Sequence, residues 1–363
     1  MKLRHLVSVL ALGSAVALAG CNSSDVLNVA QKANQPLPED VVRKMQAQGM
    51  TKSSPVMMRI FKQEAVLEVW KKKDTGRYAL VKTYEICKFS GGLGPKFKEG
   101  DRQSPEGFYF VNRGQMNPNS SYYLSFDLGF PNKYDRSHGR YGTNLMVHGD
   151  CSSAGCYAMT DQHVSEIYAF AREAHAGGQE AFQVQAFPFR MTAENMAKNR
   201  NHEYFDYWKM LKVGYDHFEL TNQPPKVDVC EKRYVINQNA VDGTFNAAAA
   251  CPKMEQPYAL ELSYTKMQNG YLTEFENIVA KLEGRAPTPV SLLPLPIKPV
   301  EVAPVEVAPT PTPAPATITP LTVEEEVNVN APTAPTVAAP APVIATSSGS
   351  GLTAQSGNAV PAQ

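Results

Sequence analysis

The sequence predicts an α+β protein that is mainly β in its first half, helical further on, and disordered at its end. Short runs of β-branched and aromatic residues fill residues 52–148 and alternate with turn sequences, which is typical of a β-sandwich or a barrel-like pair of sheets. Apolar residues at helical spacing follow from residue 161. Residues 286–363 hold 16 of the 28 prolines and no aromatic residue, which predicts a disordered, extended tail.

The N-terminus predicts export and a lipid anchor. A basic start precedes an apolar run over 6–18 that is too short to span a bilayer comfortably, so residues 1–20 are expected to be a signal peptide. The residues that end in Cys21, Leu-Ala-Gly-Cys, resemble the bacterial lipobox, whose cysteine receives lipid. Asn22 follows in place of the aspartate that usually retains lipoproteins in the inner membrane, so we expect a periplasmic protein anchored to the outer membrane. An ordinary secretory signal or a retained anchor is the alternative.

The chain divides into a polar tether with one short helix (21–51), a β-rich domain (52–191) and a helical and β extension (192–285). Predicted strands of the β-rich domain cover 57–61, 65–70, 78–87, 107–112, 122–128, 144–148 and 181–189. In the extension we expect a long helix from Thr192, a strand over 226–236 and a last helix from Thr273, where Glu276 completes a capping box.

Chemistry-bearing residues are concentrated in residues 145–161. An apolar strand end leads into a small-residue loop with His148, Cys151 and Cys156, and then into a helix that Asp161 is expected to cap and Gly177 to end. This order places Cys156 near the start of the helix, where backbone N–H groups and the helix dipole would favour the thiolate. The small residues before it would let an acyl group approach and let N–H groups converge on an oxyanion; they are Ser153, Ala154 and Gly155.

The same stretch resembles a known signature. His-Gly followed by Ser-x-Gly-Cys is similar to the motif of the L,D-transpeptidase catalytic domain, or YkuD, family, and 90–96 and 100–107 resemble two further motifs of that family. The short loop followed by Cys-Tyr-Ala-Met-Thr-Asp resembles the YafK-like branch, whose described member is an amidase that detaches a lipoprotein from peptidoglycan. Most family members carry a second histidine where this chain has Ala154, and the YafK-like branch also lacks that histidine.

The resemblance implies a YkuD-like catalytic domain and roles for individual residues. Cys156 is expected to attack a stem-peptide carbonyl at diaminopimelate, with His148 as general base and then acid. The carbonyl of Gly149 would orient the imidazole. N–H groups of Gly155 and Cys156, and of Ala154 as a further candidate, would hold the oxyanion, and Ser153 would brace the loop. Neither a metal nor another cofactor is implied.

Three outcomes stay open at this point. The thioester could pass to water, which would release a covalently attached outer-membrane lipoprotein, or to an amine, which would make the protein a transpeptidase. A non-catalytic lipoprotein that tethers peptidoglycan is the third hypothesis. The net charge of +0, from 35 basic and 35 acidic residues, gives no reason to expect a nucleic-acid partner.

Substrate-binding residues and disulfides are less determined. Tyr157 fits a pocket wall or the core equally well. Arg136 and Arg140 lie in a loop, 130–142, that would either meet a substrate carboxylate or form a solvated hairpin tip. Four cysteines remain besides Cys21 and Cys156, and an exported chain can pair them in three ways; they are Cys87, Cys151, Cys230 and Cys251. Cys230 and Cys251 flank a plausible small loop, and no spacing favours a zinc site.

Overall fold

The computed structural model describes residues 28–297. The predicted signal peptide, the lipidation site at Cys21 and the tail from residue 298 lie outside the described residues.

The α+β class predicted from the sequence is confirmed. The strands are β1 (Val56–Phe61), β2 (Val66–Lys72), β3 (Tyr78–Glu85), β4 (Lys88–Phe89), β5 (Gly107–Asn112), β6 (Met116–Asn117), β7 (Ser125–Asp127), β8 (Met146–His148), β9 (Tyr157–Ala158), β10 (Ala181–Phe187), β11 (Val227–Cys230), β12 (Arg233–Ile236), β13 (Asn239–Ala240) and β14 (Met254–Glu255). The helices are α1 (Val29–Ala33), α2 (Glu39–Ala47), α3 (Lys133–Ser137), α4 (Asp161–Ala176), α5 (Ala193–Lys198), α6 (Phe205–Thr221) and α7 (Tyr258–Leu282), with a 3-10 turn at Arg113–Gln115.

The larger framework is a five-stranded sheet in the order β3-β2-β1-β10-β5. Only the β1–β10 pair is parallel, and the other three pairs are antiparallel. Every residue of β1 is buried, as expected for a central strand covered on both faces. Its alternating side chains enter two cores: Met58 and Ile60 join one cluster, and Phe61 joins the other.

A second five-stranded sheet, in the order β4-β9-β8-β7-β6, is built from strands of only two or three residues. It contributes Phe126 and Val147 to the same core as β1 and helix α4. Within the described residues both sheets are open, so the barrel alternative of the sequence prediction is not formed. The parallel pair β8–β9 at the centre of this sheet carries the predicted chemistry at its ends.

Helix α4 forms where it was predicted and ends at Gly177, but its cap differs from the prediction. Thr160 is the N-cap, and its hydroxyl accepts a hydrogen bond from the His163 N–H at 3.1 Å. Asp161 instead accepts from the N–H of Asp150 at 2.9 Å. Threonine and aspartate are both favoured at the N-cap. Thr160 is the cap because its backbone is extended, with a ψ of 155°, whereas Asp161 is already the first helical residue.

The extension differs from the prediction in its first helix, in its strand and in its last helix. The expected long helix from Thr192 is two helices, α5 and α6, separated by turns over 199–204. The expected strand over 226–236 is a hairpin, because Glu231 and Lys232 take positive φ angles of 49° and 56° and reverse the chain. The aromatic face of α6 is core, as the sequence indicated, and it covers the second face of the larger sheet; its buried members include Trp208, Leu211 and Tyr215.

The last helix starts at Tyr258 and not at Thr273, because Pro257 occupies its N-cap position. Thr273 lies inside the helix, where its hydroxyl bonds the carbonyl of Asn269. Glu276 binds Arg285 and Thr288 instead of forming a capping box. Part of the predicted tail is therefore attached to α7. No helix within 28–297 is long and apolar enough to cross a membrane.

A buried ion pair connects the end of strand β1 to the segments that pack around it. Lys62 and Glu106 are both fully buried, and their side chains meet at 3.1 Å. Lys62 also donates to the carbonyls of Gly94 and Ser104 at 3.0 Å each. Glu106 accepts from the Gly94 N–H at 2.7 Å and from the Trp208 indole at 2.9 Å. The pair thus joins β1, the irregular segment 90–106 and α6.

Replacing Lys62 with methionine should therefore destabilise the protein strongly. The change leaves a buried carboxylate without its cation, which typically costs about 3–5 kcal/mol of the free energy of unfolding. Urea denaturation followed by circular dichroism measures the loss. The control is Lys198→Met, which breaks an exposed pair with Glu194 and should leave the midpoint unchanged. Equal midpoints for both variants would show that Glu106 does not need the lysine.

Candidate active site

Two neighbouring strands bring His148 and Cys156 together. β8 and β9 run parallel with Val147 opposite Tyr157 and His148 opposite Ala158, so Cys156, the residue before β9, lies across from Met146. His148 is two residues beyond Met146 on β8, and residues two apart on a strand share one face of the sheet. Both side chains line one cleft of about 630 Å³. The loop 149–156 connects the end of β8 to the start of β9, and Gly149, Ser153 and Ala154 belong to it.

His148 is held in one orientation. Its Nδ1 lies 2.6 Å from the carbonyl oxygen of Gly149, which fixes the proton on Nδ1 and leaves Nε2 free to accept one. Burial lowers the pKa of His148, and the Gly149 carbonyl and Asp150 oppose this effect. The ring of Tyr122 lies over the imidazole at 4.7 Å between centroids. At neutral pH the imidazole is therefore neutral and can act as a base.

Cys156 is the free cysteine of the described residues. Burial raises the pKa of its thiol, and the Met146 N–H, which lies 3.4 Å from Sγ, opposes the rise. The thiol lies 3.5 Å from the Asn144 carbonyl. The start of helix α4 does not activate the thiol as predicted from the sequence, because strand β9 intervenes and the helix begins only at Asp161. The resting nucleophile is thus a neutral thiol that needs a base.

The loop before Cys156 presents free N–H groups. The amides of Ala154 and Cys156 donate to no other described residue, whereas the Gly155 N–H lies 3.3 Å from the Ser153 hydroxyl. Gly155 has a φ of 144°, which favours glycine. Ser153 donates to the Cys156 carbonyl at 2.7 Å, and Ser104 donates to the same oxygen at 3.0 Å. The backbone carbonyl of Cys156 is therefore held by two hydroxyl groups, while the backbone N–H of Cys156 stays free for an oxyanion.

The disulfides resolve what the sequence left open. Cys87 pairs with Cys151, and Cys230 pairs with Cys251. Cys151 is thereby removed as a competing nucleophile, since a disulfide sulfur carries no thiol proton. The first bridge also ties the active-site loop to the segment between β3 and β4.

The three substrate-binding candidates lie away from the cleft. Tyr157 is fully buried and donates to the Pro105 carbonyl at 2.6 Å, so it is a core residue and not a pocket wall. Arg140 is buried in an ion pair with Asp135 and is enclosed by aromatic rings. Arg136 is bonded to the Pro131 carbonyl. Arg140 is fixed by this pairing because a buried guanidinium needs a carboxylate partner.

The cleft is also lined by residues that were not predicted from the sequence to bind substrate: Lys96, Glu99, Tyr122, Thr143 and Asn144. Lys96 is the last residue of the quoted 90–96 motif and pairs with Asp101. The sequence around Tyr122 and Asn144 contains no motif that would mark them as site residues, because aromatic and amide side chains are common near strand ends. No group of three or more His, Cys, Asp or Glu side chains in 28–297 is placed to bind a metal ion.

The alkylation rate of Cys156 should rise steeply with pH through the alkaline range, since burial raises the thiol pKa. Iodoacetamide labelling at Cys156, quantified by mass spectrometry across a pH range of about 6–10, measures this. At neutral pH, His148→Ala should change the rate by less than about 3-fold, because the resting thiol and imidazole are both neutral. A rate that is already maximal at the acid end and falls in His148→Ala would reveal a preformed thiolate–imidazolium pair instead. Cys156→Ser is the labelling control.

Comparisons with known proteins agree with this geometry. Residues 57–185 match the YkuD family, described as the L,D-transpeptidase catalytic domain. The chain is 50% identical over 185 residues to "Putative L,D-transpeptidase YafK" of Escherichia coli K12, covering 51% of this chain and 75% of the relative, and equally so to that of strain O157:H7.

Among solved structures, the chain is similar to the helical cell shape determining protein Pgp2 from Campylobacter jejuni, with a TM-score of 0.30, 16% identity and coverage of 55% of this chain and 81% of that one. Bd1075 of Bdellovibrio bacteriovorus has a TM-score of 0.28 and 13% identity, over 48% of this chain and 76% of that one. With half of its aligned residues shared over three quarters of a YkuD relative, the chain belongs to the L,D-transpeptidase (YkuD) family of cell-wall enzymes that act on peptidoglycan.

Proposed function

We propose that this protein is an amidase that cleaves the bond between the L-centre of diaminopimelate and a covalently attached lipoprotein, through a thioester on Cys156. The observation that carries the proposal is the shared cleft, which is lined by both a free thiol and an imidazole whose Nδ1 is held by the Gly149 carbonyl. This is the arrangement that cysteine-dependent acyl transfer requires.

Acylation follows from the protonation states. Sγ of Cys156 attacks the amide carbon while Nε2 of His148 takes the thiol proton. The carbonyl oxygen becomes an oxyanion, which the N–H groups of Cys156 and Ala154 can hold, with Gly155 nearby. His148 then gives the proton to the leaving amine, the C–N bond breaks, and a thioester remains on Cys156.

Deacylation by water completes the hydrolysis. His148 takes a proton from water and the resulting hydroxide attacks the thioester carbon. The C–S bond then breaks, and His148 returns the proton to the departing sulfur, which regenerates the thiol and the neutral imidazole and leaves a carboxylic acid product. The loop supports water as the acceptor: Ala154 stands where most family members carry a second histidine, as in the branch whose described member is an amidase. An amine acceptor would turn the same thioester into a cross-link, which is the transpeptidase alternative.

The cleft carries charges of both signs, on Lys96 and Glu99, which suit a zwitterionic substrate. Glu99 forms no ion pair with a described residue, so its carboxylate is available to an ammonium group such as that on the D-centre of diaminopimelate. A volume of about 630 Å³ is within the usual range of about 300–1,000 Å³ for ligand pockets and accommodates part of a stem peptide.

We further propose that the enzyme works in the periplasm from a lipid anchor on Cys21 in the outer membrane. The support is the Leu-Ala-Gly-Cys sequence and the following Asn22. An outer-membrane position would place the enzyme beside the lipoproteins that its reaction releases. The proline-rich residues 286–363 would act as a spacer or partner-binding arm through the cell wall.

Product analysis tests the reaction. The detergent-solubilised full chain is incubated with sacculi that carry covalently attached lipoprotein, and the released peptides and muropeptides are identified by mass. We expect free lipoprotein that ends at its former linkage residue, and none with Cys156→Ala. New 3–3 cross-links or exchanged terminal residues would establish transpeptidation instead. The absence of any Cys156-dependent product would contradict both enzymatic functions and favour a peptidoglycan tether.

The pH profile tests the role of His148. The base must be neutral, and burial lowers its pKa, so activity should persist to a lower pH than an ordinary histidine allows. We expect the acid limb of kcat/KM for lipoprotein release to fall below pH of about 6.5, the reference value for histidine. An acid limb above that value would show that the imidazolium is stabilised in the free enzyme. His148→Ala should lose about 10²–10⁴-fold in rate.

A further inference from the structure

The N-terminal arm, residues 28–36, is fixed to the body of the protein at several points. Arg172 of α4 donates to the carbonyls of Ala33 and Gln35 at 2.6 and 3.0 Å. The Ser165 hydroxyl donates to the Gln35 side chain at 3.0 Å. The arm thus lies along α4 in a defined position, although its own helix, α1, has only five residues.

From this position Lys32 reaches the loop 118–124. Its ammonium group donates to the carbonyl of Tyr123 at 2.5 Å and lies 3.4 Å from that of Ser120. Gln35 adds a contact to the Tyr123 hydroxyl at 3.4 Å. Tyr123 has a φ of 65°, which is unfavourable for an aromatic residue and persists only when neighbouring contacts hold it. Lys32 is one of those contacts.

The same loop contacts the catalytic histidine from two sides. The ring of Tyr122 covers the imidazole at 4.7 Å. The carbonyl of Tyr122 accepts from the Gly149 N–H at 3.0 Å, and the carbonyl of Gly149 in turn holds Nδ1 of His148 at 2.6 Å. A Cβ on Gly149 would lie 2.9 Å from the Tyr122 oxygen, so the peptide and the loop fit without spare room.

We propose that Lys32 is a positioning residue: by bonding the carbonyls of Ser120 and Tyr123, it holds the loop that places Tyr122 over His148 and supports the Gly149 peptide. The inference rests on the proposed function, because it assigns Lys32 to the setting of the general base. The N-terminal arm is then a working part of the active site and not only a spacer between the chain's start and its catalytic domain.

The charged groups that face the imidazole belong to other segments than the arm. Asp150 lies on the same loop as His148, and Lys96 and Glu99 line the same cleft. Lys32 donates hydrogen bonds to backbone carbonyls of the loop 118–124, and its ammonium group lies 5.6 Å from the centre of the Tyr123 ring. Its loss should therefore act through the position of Tyr122 and of the Gly149 peptide, and not through a direct charge effect on the base.

The test compares Lys32→Met with Lys44→Met in the full chain. Lys44, on α2, makes the same kind of bond, to the Val81 carbonyl at 2.5 Å, but away from the cleft. Lys32→Met should lower kcat for lipoprotein release about 10- to 100-fold with KM changed less than about 3-fold, since misplacing a catalytic group affects the reaction step. Lys44→Met should leave kcat unchanged, and Lys32→Arg should restore most of the rate.

An NMR titration of the His148 ring gives a readout that does not depend on turnover. Once Tyr122 no longer covers the ring, its pKa should rise by about half a unit or more toward the reference of about 6.5 in Lys32→Met, and stay unchanged in Lys44→Met. Tyr122→Leu, which alters a half-exposed side chain, should reproduce the rise, and Lys32→Gln serves if Lys32→Met does not fold.

Unchanged titration in folded Lys32→Met would overturn the inference, whether or not Tyr122→Leu shows the rise, as would equal kcat losses in Lys32→Met and Lys44→Met. A wild-type chain without turnover would contradict the proposed function alone, because the NMR result still decides whether Lys32 positions His148.

Discussion

The active site depends on the buried ion pair between Lys62 and Glu106. Residues 90–106 form no helix or strand, so hydrogen bonds to this pair supply the support that regular structure would otherwise give. Ser104, in that segment, holds the carbonyl of Cys156. Burying two charges is costly unless each finds several partners, and here the backbone of the segment provides them. The same network that satisfies the charges thus positions the nucleophile.

Around this support, the site keeps both reacting groups uncharged at rest. Removing water from Cys156 disfavours the thiolate, and removing it from His148 disfavours the imidazolium. In the proposed reaction, charge therefore appears only when a substrate carbonyl is attacked, at the point where the free N–H groups before and at Cys156 can meet it. The preorganised peptide groups act on the transition state more than on the resting enzyme.

Much of the structure around the active site could be predicted from the sequence, because local sequence patterns determine it. The strand, loop and helix around Cys156 follow from apolar runs and from Gly177, and the roles assigned to His148 and Gly149 rest on a family motif. Contacts distant in sequence could not be predicted. Arg140 is held by a buried partner and Tyr157 by the core. The interruption between α5 and α6 lies in turns over 199–204 that contain neither glycine nor proline, and Asn199 and Asn201 are the weaker turn signals there. The cysteine pairing depends on how β3 approaches the active-site loop.

That pairing has a consequence for how the active protein is made. Cys151 and Cys156 lie in one short loop, and Cys87 must join the first and not the second. The alternative bridge would consume the Cys156 thiol while leaving the composition and mass of the chain unaltered. Catalytic competence is thus decided during oxidative folding, and the proportion of active molecules measures the accuracy of disulfide formation as much as the quantity of protein produced.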